Sequence, residues 1–224
     1  MKKDFYKIQG LNCVVSFPDT YDPKGEYPTI IFLHGAGSRG KDLGVVSSNP
    51  YFNICYKHKD FPFITFAPQC FKNTWFDHFE ALEALVDEIS GYDFVDSSRI
   101  YIMGASMGGY ATWQLAMSMP EKFAAIVPIC GGGMYWNSGR LANLPVWAFH
   151  GALDNIVLVE ESIKMVDSIN KNGGNAKLTV YPNNAHDAWN DTYANPEVFE
   201  WLLLHQRKKP IELKDKYSGA EQYG

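Results

Sequence analysis

The chain has 224 residues, 46% of them hydrophobic, which is ample for one core and is a length commonly found in a single α/β domain. A net charge of −5 argues against a nucleic-acid partner, and no apolar run approaches the length that spans a membrane. No apolar export segment follows the first residues, so we expect a cytoplasmic protein unless a signal was removed.

Predicted strands and amphipathic helices alternate along the chain, which favours an α/β fold with a mainly parallel, doubly wound sheet and helices on both faces. An edge strand or antiparallel hairpin is predicted within 5–17, buried strands at 124–130 and 145–151, and further strands at 29–33, 63–67, 99–103 and 177–182. Helices are predicted at 79–90, 107–119, 160–172 and 196–207. One domain is predicted over 1–207, with a polar tail at 208–224 and no large lid.

The glycine cluster at 35–40 allows two interpretations. It fits the Gly-x-Gly-x-x-Gly pattern of dinucleotide-binding folds, which requires a helix that begins inside the motif and an acidic residue at the end of the next strand. We expect the segment 41–44 to interrupt any such helix, and the next strand ends in Pro68 and Gln69. A loop that begins with His34 and Gly35 instead fits an oxyanion-binding loop, with the amide of Ala36 as a donor.

The segment 104–108, Gly-Ala-Ser-Met-Gly, joins an apolar strand directly to a helix. Gly-x-Ser-x-Gly is common by chance, but in this context it is typical of a nucleophile elbow, in which small neighbours let the strand and helix approach each other. We therefore predict that Ser106 is a nucleophile. The amide of Met107, at the start of the helix, is the second predicted oxyanion donor.

A serine nucleophile needs a histidine base and an acid that orients it, in the chain order Ser, Asp or Glu, His. Asp154 follows the predicted strand 145–151 by three residues, and His186 lies in a polar loop after the strand at 177–182. Because the carboxyl ends of parallel strands share one edge of a sheet, Ser106, Asp154 and His186 are predicted to meet there.

Other residues fit the acid and base roles less well. Asp187 adjoins His186 too closely to reach its ring nitrogen comfortably, and Asp191 comes after the base. Asp154 also fits a turn-forming role, which does not exclude the catalytic one. Most of the remaining histidines are better explained as structural or surface residues; they are His34, His58, His78, His150 and His205.

Four segments, 34–37, 104–109, 150–154 and 184–189, together resemble the α/β-hydrolase superfamily. Over about 29–207 the chain is similar to the phospholipase/carboxylesterase and feruloyl-esterase-like group, with dienelactone-hydrolase and prolyl-oligopeptidase-like relatives. The resemblance implies a single-domain α/β-hydrolase fold and a Ser-His-Asp hydrolase that works through an acyl-enzyme. Its triad falls on Ser106, Asp154 and His186.

We expect a carboxylesterase that acts on a small or medium acyl or aryl ester, such as an acylated or feruloylated carbohydrate. A serine peptidase of the same fold and a catalytically silent binding protein are the alternatives. The sequence does not determine the oligomeric state. No metal or other cofactor is predicted, since the four cysteines have no metal-binding spacing and are expected to be reduced; they are Cys13, Cys55, Cys70 and Cys130.

The predicted rim loops also contain candidates for the substrate pocket. Gly35 and Gly37 belong to the loop of the oxyanion donor, and three tryptophans lie in loops near the rim: Trp75, Trp136 and Trp189. Aromatic side chains at a rim can stack on a sugar or an aryl group, although a loop tryptophan often only packs against its neighbours.

Overall fold

One eight-stranded sheet forms the centre of the structure, a computed structural model that describes residues 2–58 and 61–207. In chain order the strands are β1 (Lys2–Ile8), β2 (Leu11–Phe17), β3 (Tyr27–Leu33), β4 (Ile64–Pro68), β5 (Val95–Ala105), β6 (Ala125–Ile129), β7 (Trp147–Gly151) and β8 (Lys177–Tyr181). Their spatial order is β1-β2-β4-β3-β5-β6-β7-β8. Pairing is parallel from β4 to β8, which confirms the predicted mainly parallel sheet. The predicted tail at 208–224 lies outside the described residues.

The predicted hairpin near the amino terminus is present and begins earlier than expected, at Lys2. β1 and β2 pair antiparallel, and β2 continues the sheet by pairing antiparallel with β4. Gln9 and Gly10 connect the two strands with φ values of 49° and 79°. Two consecutive positive φ angles are what a tight two-residue hairpin turn requires.

Seven α-helices lie within the described residues. They are α1 (Leu43–Ser47), α2 (Pro50–Cys55), α3 (Phe79–Ser90), α4 (Met107–Ser118), α5 (Glu160–Lys171), α6 (Trp189–Ala194) and α7 (Pro196–Leu203). The four predicted helices correspond to α3, α4, α5 and α7. No helix among the described residues is both long enough and apolar enough to cross a membrane.

The expectation that the segment 41–44 interrupts a helix begun in the glycine cluster is met only in part: the residues up to Asp42 are outside any α-helix, whereas Leu43 and Gly44 belong to α1. Helix α1 begins at Leu43, because the Asp42 carboxylate accepts a hydrogen bond from the Gly44 amide at 2.8 Å and caps the first turn. This helix still begins after the glycine cluster, not inside it as a dinucleotide-binding turn requires.

Helices cover both faces of the sheet, as predicted. Successive strand side chains point to opposite faces, so Ile31 and Ile102 contribute to one core cluster and Phe32 and Met103 to the other. Helices α3, α4 and α5 supply buried side chains to the first cluster. Helices α1, α2, α6 and α7 supply the second.

Helix α4 begins against the backbone of the two central strands. A Cβ atom at Gly108 would lie 1.9 Å from the Leu33 carbonyl oxygen at the end of β3, and one at Gly104 would lie 2.3 Å from the Gly108 carbonyl oxygen. Both distances are far inside van der Waals contact, and both contacts are to backbone atoms that no rotamer change can move. Glycine is therefore required where β5 turns into α4.

We expect Gly108→Ala to lower the free energy of unfolding by about 3 kcal/mol or more, because α4 must move away from β3 to admit the methyl group. Gly91→Ala is the matched control, since its Cβ would meet its nearest neighbour, the Glu88 carbonyl oxygen, at an ordinary 3.5 Å. Denaturant unfolding followed by circular dichroism measures both variants. Equal midpoints for the two would contradict a steric requirement at Gly108.

Candidate active site

Three polar side chains from three different loops meet at the carboxyl ends of β5, β7 and β8. His186 Nε2 lies 2.8 Å from Ser106 Oγ, and His186 Nδ1 lies 2.7 Å from Asp154 Oδ2. The structure thus brings together the hydroxyl, imidazole and carboxylate that the sequence singled out. They form one hydrogen-bonded series, the geometry in which an imidazole can take the proton of a hydroxyl and be oriented by an acid.

Ser106 has the strained backbone of a sharp strand-to-helix turn. Its φ of 56° and ψ of −118° are unusual for a residue with a side chain, and such a conformation costs on the order of 1–3 kcal/mol. The Ser106 amide donates to the Ile129 carbonyl at 2.9 Å, and the Ser106 carbonyl accepts the Tyr110 amide at 3.0 Å. The turn is therefore held at both ends, with its hydroxyl at the start of α4.

Asp154 is buried and its carboxylate oxygens have separate partners. Oδ1 accepts the amides of Ile156 at 3.0 Å and Val157 at 2.9 Å, while Oδ2 faces His186. Burial by itself raises the pKa of this carboxyl, but the hydrogen bonds from His186 and the two amides outweigh it, and the pKa lies below its ordinary value. Asp154 is therefore ionised at neutral pH, as an acceptor for the imidazole must be.

The loop after β3 places an unpaired amide beside Ser106. A Cβ built on Gly35 would lie 3.3 Å from the Ala105 carbonyl oxygen and 3.5 Å from Ser106 Cβ, so this loop lies directly against the elbow. Neither the Ala36 amide nor the Met107 amide donates a hydrogen bond to another residue of the described ranges. Each begins a helical turn, where backbone N–H groups carry partial positive charge.

The His34 ring holds that loop in place. The Cys70 amide donates to His34 Nε2 at 3.1 Å, so the ring proton is on Nδ1, which donates to the Gly35 carbonyl at 2.7 Å. Burial lowers the pKa of His34 to about 4, which keeps the ring neutral and Nε2 able to accept. The loop is therefore fixed before any substrate arrives.

The predicted rim position of Trp75 is corrected by the structure. Its side chain is fully buried, its indole N–H donates to the His34 carbonyl at 3.0 Å, and its ring lies 4.9 Å from the His34 ring. A substrate has no access to it. Trp75 packs under the loop that carries Ala36, which is the packing role that a loop tryptophan often has.

A cavity of about 460 Å³ opens at Ser106 and His186. Of the predicted pocket residues, Gly35, Gly37 and Trp189 line it, and the Trp189 ring stands edge-on to His186 at 5.2 Å. Trp136 does not line it; it is 71% exposed and contacts Tyr135.

Several residues of the cavity wall were not predicted from the sequence. Phe32 and Tyr193 are buried, Asn49 and Pro50 belong to the start of α2, and Ile156 is exposed. Ile156 carried a local signal, since it follows Asp154 by only two positions in the loop between β7 and α5. The others reach the cavity through tertiary packing, which residue pattern alone does not encode.

Cys130, His150 and Asp154 lie close together and offer ligand-type atoms within 4.8 Å of one another. Burial raises the pKa of the Cys130 thiol to about 12, so the thiol is protonated at neutral pH. Both His150 ring nitrogens are already hydrogen-bonded. As they stand, these three groups form a hydrogen-bonded cluster around Asp154.

The sheet order, the elbow and the site at the strand ends define an α/β-hydrolase fold. The chain belongs to the dienelactone hydrolase family, whose model matches residues 55–200. This finding confirms the resemblance seen in the sequence.

Individual proteins similar to this chain include two esterases and a peptidase. A crystal structure of a thermostable esterase superposes with a TM-score of 0.78 at 30% identity, over 92% of this chain and 63% of that chain. Feruloyl esterase C of Emericella nidulans is 22% identical over 175 residues, which are 75% of this chain and 64% of the relative. Dipeptidyl-peptidase 5 of Porphyromonas gingivalis is 23% identical over 138 residues, which are 45% of this chain and 20% of the relative. The chain thus spans just under two thirds of both esterases.

We expect the protein to lose stability as the pH falls from about 6.5 to about 4, because His34 has a pKa of about 4 when folded and about 6.5 when unfolded. Between these values the unfolded state binds more protons, so the free energy of unfolding rises with pH. The contribution of His34 is about 3 kcal/mol over this range.

Urea unfolding at several pH values, in the wild type and in His34→Gln, measures this effect. The variant is expected to show a shallower dependence of stability on pH between 6.5 and 4. Parallel curves for the two proteins would show that His34 does not titrate there.

Proposed function

We propose that this protein is a serine carboxylesterase that hydrolyses a small or medium acyl or aryl ester through an acyl-enzyme. The observation that carries the proposal is the series Ser106, His186 and Asp154, joined at 2.8 Å and 2.7 Å, beside two amides without a protein acceptor. Membership of the dienelactone hydrolase family and the likeness to esterases support it.

In this mechanism Ser106 Oγ attacks the ester carbonyl carbon while His186 Nε2 removes the hydroxyl proton. The carbonyl π bond breaks and its electron pair becomes the oxyanion. The imidazolium that forms is stabilised by the ionised Asp154, which also keeps Nε2 directed at the serine. When the oxyanion collapses, the alcohol leaves with the proton that His186 returns to it. Water then attacks the acyl-enzyme and gives its proton to His186, and the second collapse releases the acid and returns the proton to Ser106.

The oxyanion is assigned to the amides of Ala36 and Met107. Both amides are unpaired in the described structure and both begin a helical turn, so they are oriented before the reaction starts. The His34 ring and the Trp75 indole hold the loop of Ala36 from beneath. Preorganised donors of this kind typically contribute 10²–10³ in rate each.

The acyl or aryl part of the substrate is assigned to the cavity beside Ser106. Its volume of about 460 Å³ and the apolar side chains of Phe32, Ile156 and Trp189 fit a small or medium apolar group. The relationship to a feruloyl esterase adds hydroxycinnamate esters of carbohydrates to the candidate substrates.

A parallel assay of p-nitrophenyl esters of increasing acyl length, hydroxycinnamate esters and aminoacyl amides tests the proposal. We expect ester hydrolysis without amide hydrolysis, and a fall in kcat/KM once the acyl chain outgrows the cavity. Faster cleavage of the amides would favour a peptidase. The absence of turnover and of labelling by an activated phosphonate would favour a catalytically silent binding protein.

We expect Ser106→Ala to lower ester turnover by a factor on the order of 10⁶, because the variant has no nucleophile, while leaving the unfolding midpoint near that of the wild type. Ser118→Ala, at the other end of α4, is the matched control and should retain full activity. Labelling by an activated phosphonate should disappear only in Ser106→Ala. Near-normal turnover by folded Ser106→Ala would refute the covalent mechanism.

We expect Asp154→Asn to lower turnover by a factor on the order of 10⁴, since an amide can hold His186 in the wrong tautomer. Asp187→Asn changes the neighbouring carboxylate in the chain and is expected to be nearly neutral. Steady-state kinetics on both variants decide the assignment. A large loss of turnover in Asp187→Asn together with nearly normal turnover in Asp154→Asn would show that the acid is assigned to the wrong residue.

A further inference from the structure

A second histidine, which the proposed mechanism does not use, lies on the far side of Asp154. His150 is fully buried at the end of β7. Its Nε2 atom is 2.8 Å from the Val157 carbonyl oxygen and 3.3 Å from Asp154 Oδ2. A carbonyl oxygen and an ionised carboxylate can only accept hydrogen bonds, so Nε2 carries a proton.

The other ring nitrogen also faces an acceptor. His150 Nδ1 is 2.7 Å from Ser162 Oγ, and that oxygen is 3.0 Å from the Gly131 carbonyl oxygen. A serine hydroxyl has one hydrogen, and the Gly131 oxygen cannot supply one. If the hydroxyl donated to His150, the Ser162 and Gly131 oxygens would face each other without a proton. The hydroxyl therefore donates to Gly131 and accepts from Nδ1, which carries the second proton of the ring.

We propose that His150 is held as an imidazolium and is a positioning residue that forms a buried ion pair with Asp154. The carboxylate that orients His186 on one side would then be balanced by a positive charge on the other. A carboxylate in a site without solvent exposure is costly to ionise, and a charged partner offsets that cost. Its effect on catalysis rests on the proposed function, whereas the protonation state of His150 does not.

The groups on neighbouring elements leave this pairing intact. Cys130, at the end of β6, stays a neutral thiol because burial raises its pKa to about 12. His186, from the loop after β8, contacts Asp154 and faces the serine. Glu161, in the first turn of α5, has a partly exposed side chain that pairs with a surface lysine at 3.3 Å.

The ion pair has a consequence for the base. With His150 charged, the negative potential of Asp154 at the His186 ring is reduced, so the carboxylate stabilises a positive charge on His186 less than an unpaired carboxylate would. Loss of the His150 charge would leave Asp154 unbalanced and would stabilise the His186 imidazolium. The charges on His150 and His186 would be separated only by the Asp154 carboxylate, and their repulsion at an effective dielectric of 20 exceeds about 1.4 kcal/mol. This repulsion corresponds to a difference of about one pH unit or more in the acid limb of the activity.

Nitrogen NMR of the full-length wild-type protein, labelled with ¹⁵N only in its six histidines, tests the protonation state directly. We expect both ring nitrogens of His150 to carry a directly bonded hydrogen between pH 6 and pH 8, with the resonances assigned by their loss in His150→Gln. A bare ring nitrogen on His150 in this range would overturn the proposal. This measurement does not require that the protein be an esterase.

The pH profile of kcat/KM tests the consequence. We expect the acid limb of His150→Gln to lie about one pH unit or more above that of the wild type, so that kcat/KM on this limb falls about tenfold at a given pH. The matched control is His205→Gln, because His205 lies far from the site. The Tyr101 hydroxyl donates a hydrogen bond to the His205 carbonyl at 2.9 Å, and Tyr101 precedes Ser106 by about 16 Å of strand.

An unmoved acid limb in folded His150→Gln would contradict the proposed charge. Should His150→Gln not fold, Ser162→Ala removes the acceptor of Nδ1 and is expected to move the acid limb in the same direction. A wild type without esterase activity but with a doubly protonated His150 would refute the proposed function and leave the ion pair standing.

Discussion

The site depends on the contact between backbones where β5 turns into α4. At Gly108 the helix touches the end of β3 so closely that a methyl group would lie 1.9 Å from the Leu33 carbonyl oxygen. This contact brings the Ser106 turn next to the loop that follows β3, so that Ala36 and Ser106 line the same cavity. The strain at Ser106, with φ at 56°, is held by hydrogen bonds to Ile129 and Tyr110 rather than relieved.

Hydrogen-bond direction explains the other polar groups around that turn. His34 is neutral because the Cys70 amide requires Nε2 as an acceptor and burial opposes a charge. The ring of His150 is surrounded by acceptors instead and lies beside the Asp154 carboxylate. Two buried histidines at the ends of parallel strands thus have different partners: a backbone amide donor at His34, and a carbonyl oxygen and a carboxylate at His150.

Elements with a clear repeating pattern were predictable from the sequence. Helix α3 was predicted with the same bounds, Phe79–Ser90, because its apolar residues recur at helical spacing. Helices α1, α2 and α6 were missed because five or six residues do not show a period. Two of them begin at local capping side chains, Asp42 and Asn49, which mark where a helix starts but not how far it runs.

The sequence by itself determined the fold class and the three residues of the proposed triad, since a strand-serine-helix turn and the order Ser, Asp, His are local and ordinal features. It did not determine which tryptophan meets the cavity: Trp75 is buried under a loop and Trp189 stands against His186, although both looked alike in sequence. The cavity wall and the acceptors around His150 also come from segments far apart in the chain. Only tertiary packing decides such contacts, because local residue patterns carry no information about which distant groups will face one another.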